Sequence, residues 1–264
     1  RRSFPENRRR PFDTGDIWVA PRLGDAWGTP LHPRAPLNGK GHDFVWQVSP
    51  DGDTLWMMHT LPGVNDDGLS YSVRDARGRW SSPRRLRIAD FRYRGTVKDF
   101  FLGPGRLLFL THTDTLRGYG GSDLYLAVPL NDTAWSRPVN LGEVINTPGD
   151  EDAPFLAPDG RTLYFNSNGR GGYGDHDIYA AYRLDYTYRR WSEPVNLGPS
   201  VNGPGYDFDF FTSADGNTAY WASEVGSPAN TDLFRLDINT CQVDIYPGQD
   251  TTLCQGQALR LSSG

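Results

Sequence analysis

Methionine and cysteine are nearly absent from this 264-residue chain, at two residues each. The cysteines, Cys241 and Cys254, lie 13 residues apart near the C-terminus, and no histidine or further cysteine stands near them at metal-ligand spacing. A zinc site is therefore excluded there. Either the two thiols pair with each other, or one pairs with sequence beyond this chain. So few cysteines fit an oxidising or a reducing compartment equally. Nowhere does an apolar run approach the roughly 18 residues of a membrane-spanning helix, and no apolar core of a secretory signal is present. Helical periodicity is missing too, because glycine and proline interrupt every window before an i, i+3, i+4, i+7 apolar pattern is sustained. There is no basic surplus: 27 basic and 32 acidic residues give a net charge of −5, which argues against nucleic acid as a partner.

Turn formers and aromatic rings are abundant instead. Thirty glycines, twenty prolines and 13% aromatic residues describe a chain that turns often and fills its interior with rings and β-branched side chains. Sliding the sequence against itself reveals a repeat. Trp27, Trp80, Trp135 and Trp191 are separated by 53, 55 and 56 residues, and each is followed three positions later by proline. Glycine follows each tryptophan at an interval of 25 residues, at Gly52, Gly105, Gly160 and Gly216, with aspartate before it in three of the four copies. Asp16-Ile17-Trp18, Asp123-Leu124-Tyr125, Asp177-Ile178-Tyr179 and Asp232-Leu233-Phe234 recur between these marks, with a degraded version at Asp67 to Tyr71.

Within one period, Ala153 to Leu156, Thr162 to Asn166, Asp177 to Tyr182 and Trp191 to Leu197 each read as a short strand bounded by turns. Four strands per roughly 54 residues make a β-propeller blade. The expected fold class is all-β, a propeller of four-stranded antiparallel blades, about five represented and three complete. The expected domains are an arginine-rich arm or partial strand over residues 1–12, propeller repeats over 13–240, and a different β segment over 241–264.

The stretch Glu151-Asp152-Ala153-Pro154-Phe155-Leu156-Ala157-Pro158-Asp159-Gly160 resembles the WD40-like repeat of TolB-type propellers. Its continuation through Asn168-Gly169-Arg170-Gly171-Gly172-Tyr173-Gly174 and Trp191-Ser192-Glu193-Pro194 is similar to the version found in Bacteroidota envelope proteins. The resemblance covers Asp16 to Asp237. It implies a periplasmic, outer-membrane-associated or cell-surface location, in OmpA-associated proteins or in those tied to type IX secretion and gliding. Asp250 to Leu261 is similar to the opening strands of immunoglobulin- or PKD-like domains, which implies a fragment of a longer surface chain.

Several residues invite a functional reading. The tryptophans are expected to be packing residues between blades, although they would also serve as sugar platforms. Asp43, Glu151 and Asp207 lie nine residues before the repeat glycine, a place taken by Thr96 in the remaining copy. They are candidates either for a ring of channel carboxylates or for caps that accept backbone N–H groups. Tyr119, Arg170 and Tyr173 fall on glycine-rich loops expected to form one rim, suited to binding a protein. These loops lead into strands and so lack the helix N-terminus of a phosphate site. Ser49-Pro50-Asp51-Gly52-Asp53-Thr54-Leu55-Trp56 approaches the sialidase aspartate box, but its glycine and tryptophan are displaced. The five histidines show no paired spacing. Catalytic residues should break the symmetry of a repeat, and Asp207 with Asp209 stand out as candidates. The expectation is nonetheless a non-catalytic scaffold with no cofactor or metal, holding other envelope proteins, peptidoglycan or glycan. The alternative is a carbohydrate-active propeller, either a glycosidase or a glycan-binding module.

Overall fold

The structure, a computed structural model, describes residues 16–24, 26–39, 43–60, 67–91, 97–113, 118–226 and 230–238. The chain divides into two compact units, Arg1–Arg87 with Arg92–Gly95 and Ile88–Phe91 with Thr96–Gly264.

The first unit holds sheet I, a meander of Asp43–Val48, Thr54–Thr60, Asp67–Val73 and Arg84–Arg85. A two-residue ribbon, Arg22–Leu23 with Ala26–Trp27, precedes it. Ile17, Leu37, Leu55 and Met57 form the unit's core, with Val45 and Trp80 packed against them.

Three blade sheets lie in the second unit. Sheet II is Val97–Leu102, Leu108–His112, Asp123–Ala127 and Val139–Asn140. Sheet III is Glu151–Leu156, Thr162–Ser167, Asp177–Tyr182 and Val195–Asn196. Sheet IV has three strands, Asp207–Thr212, Thr218–Glu224 and Thr231–Asp237. The fold is thus all-β, of propeller blades, three with four antiparallel strands. Among the described residues there is no α-helix; a 3₁₀ turn stands at Pro104–Arg106.

The repeat owes its glycine to backbone geometry: Gly52, Gly105, Gly160 and Gly216 take φ of 73°, 65°, 64° and 71° at the turn between the first two strands. The aspartate before it holds the same turn, as where Asp159 Oδ1 accepts the N–H groups of Arg161 at 2.7 Å and Thr162 at 2.9 Å. The tryptophans divide. Trp135 and Trp191 are buried, and their indole N–H groups donate to the carbonyls of Arg106 and Tyr188. Trp191 closes a cluster with Leu124, Ile145, Leu163, Phe165 and Tyr179 between sheets II and III. Burial of each such large side chain stabilises by about 1.5–3 kcal/mol. Trp27 departs from the packing role, being 70% exposed, because its ribbon has no further strand beside it among the described residues.

The first strand of each of sheets I to IV carries a bulge, between Val45 and Gln47, Val97 and Phe100, Asp152 and Phe155, and Phe208 and Phe211. A bulge re-aims one side chain relative to the ladder. The registers also correct one equivalence. Val97 pairs with His112 as Glu151 pairs with Ser167, so Val97, not Thr96, takes the place of Glu151. The cause is a turn one residue shorter, Gly103 to Leu107 against Ala157 to Thr162.

Candidate active site

The capping acids are each occupied within their own sheet. Gly39 donates its N–H to Asp43, Thr147 to Glu151 and Gly203 to Asp207, each at 2.7 Å. Glu151 also accepts the hydroxyls of Thr147 and Ser167 at 2.6 Å. Burial pushes the Glu151 and Asp207 carboxyls up, against the pull of those hydrogen bonds. Among the described residues no three His, Cys, Asp or Glu side chains are grouped to hold a metal.

Tyr119 and Tyr173 occupy equivalent exposed loop positions, and their N–H groups donate to Asp123 and Asp177 at 2.7 Å. The glycines beside them serve close packing. A Cβ at Gly120 would lie 2.3 Å from the Pro148 carbonyl, and one at Gly174 would lie 2.4 Å from the Gly203 carbonyl. Arg170 is turned inward. Its guanidinium donates to the carbonyls of Val144 at 2.5 Å and Ile145 at 2.9 Å, so it fastens the strand connection between sheets II and III. A recess of about 470 Å³ adjoins Tyr119, with Glu143, Leu184, Arg189 and Trp191 in its walls. Cys241, Cys254, the arginine-rich arm and the segment 241–264 lie outside the described residues.

A different group comes together where the repeat is broken. Tyr206 enters sheet IV, where it bridges to His176 beside sheet III. The rings of His176 and Tyr206 meet at 4.3 Å, and those of Tyr206 and Phe208 at 4.8 Å, forming an aromatic wall. Asn166 of sheet III donates its amide to the Tyr206 hydroxyl at 3.3 Å. The Asn166 side chain is buried, 1% exposed, and its Oδ1 has no hydrogen-bond partner among the described residues.

Carboxylates from three sheets act electrostatically on that phenol. Burial first, and then Asp152, Asp99 and Asp209, push the Tyr206 proton affinity well above the ordinary phenol range. Tyr206 therefore remains a hydroxyl, able to donate. Asp99 Oδ2 accepts the N–H of Ala153 at 3.2 Å, which ties sheet II to sheet III. Asp152 accepts the Ser122 hydroxyl at 2.7 Å. Asp209 is an exposed residue, yet partial loss of water around its carboxyl pushes its proton affinity up, with no hydrogen bond to hold the charge.

Register shows why these acids converge once only. Asp99, Ala153 and Asp209 occupy the same bulge position in sheets II, III and IV, and their register counterpart in sheet I, Val45, pairs regularly with Met57. Ala153 and Asp209 both have positive φ, 49° and 54°. Asp152 has Lys98, Phe208 and Phe44 as its counterparts. Asp209 drew notice in the sequence; Asp99, Asp152 and Asn166 did not. Their signal was departure from the repeat, which becomes visible only once the shortened turn is aligned.

No family model matches the chain, and no curated protein does. Solved structures similar to it include TolB from Acinetobacter baumannii, at 17% identity over 72% of this chain and 40% of that one, with a TM-score of 0.43. The S511A mutant of puromycin hydrolase complexed with PGG is similar at 22% identity over 86% of this chain and 35% of that one, TM-score 0.46. The α-L-arabinanase of Penicillium chrysogenum complexed with arabinobiose is similar at 13% identity over 72% and 65%, TM-score 0.42. This chain spans about two fifths of the TolB chain. These likenesses concern the propeller fold alone, and the fold rests on the repeated antiparallel sheets described above. The expectation of a non-catalytic scaffold is withdrawn, because hydrolases stand beside TolB among these structures and the fold alone does not choose between the two. Absence of a catalytic motif in the sequence did not justify that expectation. Acids contributed by separate sheets have no fixed spacing along a chain.

Proposed function

We propose that the second unit is carbohydrate-active and hydrolyses a glycosidic bond between sheets II and IV. The observation that carries this reading is that Asp99, Asp152 and Asp209, from three different sheets of a chain built from repeats, all act on one phenol, Tyr206, while Asp99 and Asp209 share one register position. Glycoside hydrolysis commonly needs one protonated and one ionised carboxyl on either side of the bond, and their environments set the two apart. Asp209, desolvated and without a donor, is assigned the proton delivered to the leaving oxygen. Asp99, held by the Ala153 N–H, is assigned the ionised role. Asp152 and Ser122 position the group from behind. The rings of Tyr206 and Phe208 offer a face for stacking.

The location belongs to the same proposal. The resemblance of the repeat to TolB-type propellers supports a place in the cell envelope, and its Bacteroidota-like continuation supports the cell surface or a type IX secretion route. Other envelope proteins and peptidoglycan remain proposed partners on that ground alone. The test is turnover of a panel of chromogenic glycosides. Wild-type protein should hydrolyse at least one, and Asp209→Asn should lower that turnover by about 10²–10⁴-fold, the usual contribution of a general acid. Equal turnover by Asp209→Asn would remove the assignment, and no turnover of any glycoside by the wild type would remove the function.

A further inference from the structure

Sheet IV lacks, among the described residues, the fourth strand that closes sheets I, II and III. We propose that its open edge, Thr231–Asp237, is a docking site for an extended strand donated by another polypeptide. The strand it fits is of the kind this chain's own repeat writes as W-x-x-P-V-N-L-G, with a further asparagine eleven positions after the tryptophan.

The receiving half of such a joint is present. In sheets II and III the fourth strand is Val139–Asn140 or Val195–Asn196, and its asparagine donates an amide to Asp123 at 2.9 Å or to Asp177 at 2.8 Å. Leu141 and Leu197 then donate their N–H groups to the carbonyls of Leu124 at 3.0 Å and Ile178 at 3.1 Å. Asn146 and Asn202 hydrogen-bond both the N–H and the C=O of the same two residues, and the Ile145 and Val201 before them pack into the clusters that hold Leu124 and Ile178. Asp232 and Leu233 stand in these places in sheet IV. Ser223 pairs with Asp232 and Ala222 with Leu233, as Ser167 pairs with Asp177 and Asn166 with Ile178. By that register the N–H and C=O of Leu233 face the open edge, which is what a sheet offers to an extended peptide. Asp123, Leu124, Asp177 and Ile178 are buried, none more than 1% exposed, whereas Asp232 is exposed and Leu233 is 86% exposed.

Every donor in the sequence is already in use. The chain has five receiving pairs, Asp16-Ile17, Gly68-Leu69, Asp123-Leu124, Asp177-Ile178 and Asp232-Leu233, but four W-x-x-P donors, which begin at Trp27, Trp80, Trp135 and Trp191. Leu31 of the first bridges to Val19 while Asn38 clamps Ile17, Arg84–Arg85 of the second pair with Tyr71 and Ser70, and the other two close sheets II and III. No tryptophan follows Trp221. A second copy brings the same four donors, each committed to its own blade, so the occupant is a different polypeptide. What it meets sets its chemistry: an asparagine amide for the Asp232 carboxylate, an extended backbone for Leu233, and an apolar side chain followed by asparagine to cover that leucine. Phe211 and Tyr220 widen the apolar surface, stacked at 5.2 Å on the same face as Leu233. Tyr164, the counterpart of Tyr220 in sheet III, has the next sheet's Phe210 against it at 4.6 Å.

The probe is a fluorescein-labelled peptide with the sequence of residues 191–202, Trp191-Ser192-Glu193-Pro194-Val195-Asn196-Leu197-Gly198-Pro199-Ser200-Val201-Asn202, titrated with the whole chain and followed by fluorescence polarisation. It should bind saturably and protect the Leu233 amide from hydrogen exchange. The same peptide carrying Asn196→Ala and Asn202→Ala should bind about tenfold or more weakly, because those side chains make the hydrogen bonds to the Asp232 carboxylate and the Leu233 backbone. In the protein, Leu233→Asp should weaken the unaltered peptide by about tenfold or more, and Asp232→Ala gives a second reading. Both positions are exposed, so the circular dichroism spectrum and the unfolding midpoint should stay those of the wild type. Absence of saturable binding, equal binding of the altered peptide, or full affinity in both Leu233→Asp and Asp232→Ala overturns the proposal. Dimerisation of the wild type in sedimentation, abolished by Leu233→Asp, overturns it too and assigns the edge to a second copy.

Discussion

Asn166 donates its side-chain amide to the hydroxyl of Tyr206 across 3.3 Å, joining the second strand of sheet III to the entry of sheet IV. The bond fixes the phenol oxygen as an acceptor and leaves its proton for another group. Tyr206→Phe should therefore cost little stability, about 1 kcal/mol or less for one long hydrogen bond, while lowering glycoside turnover by about tenfold or more. Urea unfolding and steady-state kinetics on the same protein separate the two effects. A large loss of stability with no loss of turnover would make the hydroxyl structural.

Asp209 gives a pH signature. Burial raises its folded-state proton affinity above that of the unfolded chain, so the native state holds more protons between the two values. Stability from this group is then greatest below the ordinary carboxylate range and falls as pH rises through the raised value. Asp209→Asn removes the titration. The variant's urea midpoint should match the wild type at low pH and exceed it increasingly toward neutrality. Turnover, which uses the protonated form, should likewise fade as pH rises through the same window.

Arg170 tests the rim. Its inward hydrogen bonds to Val144 and Ile145 and its attraction to Glu151 make it a fastening of the fold. Arg170→Ala should destabilise the second unit by about 1.5–3 kcal/mol, the range for hydrogen bonds to a charged group. Arg170→Lys should recover little, because one ammonium does not reproduce the planar fork. Thermal unfolding followed by near-ultraviolet circular dichroism reads both variants.

The blades were legible in the sequence because each mark of the repeat answers a local need: glycine for positive φ, aspartate for the turn, tryptophan for a large buried ring. Such needs are met within about 25 residues and so leave a period. The candidate site was not legible in the same way. Asp99, Asn166 and Asp209 come from three sheets, and what joins them is lateral packing and bulge register. Tyr119, Arg170 and Tyr173 read alike as loop residues, yet two are exposed and the third is committed to the carbonyls of its own chain. Composition of a loop does not reveal which of its side chains the fold has already used.

One further mark of the repeat has an energetic role. Asparagine stands eleven positions after tryptophan in three copies, from 27 to 38, 135 to 146 and 191 to 202, with Phe91 in the fourth. Each of these side chains clamps one residue of the third blade strand or its counterpart: Asn202 Oδ1 accepts the Ile178 N–H at 2.8 Å and its Nδ2 donates to the Ile178 carbonyl at 3.0 Å. Asn146 does the same to Leu124, and Asn38 to Ile17. All three asparagines are buried, so the groups they satisfy have no water to replace them. Asn202→Ala should leave both Ile178 backbone groups unmet and destabilise the second unit by about 2–4 kcal/mol, two buried groups at 1–2 each. Asn202→Asp keeps the acceptor and loses the donor, so it should fall between alanine and wild type at neutral pH. Urea unfolding orders the three proteins, and an alanine variant as stable as the wild type would show that the clamp is incidental to the blade.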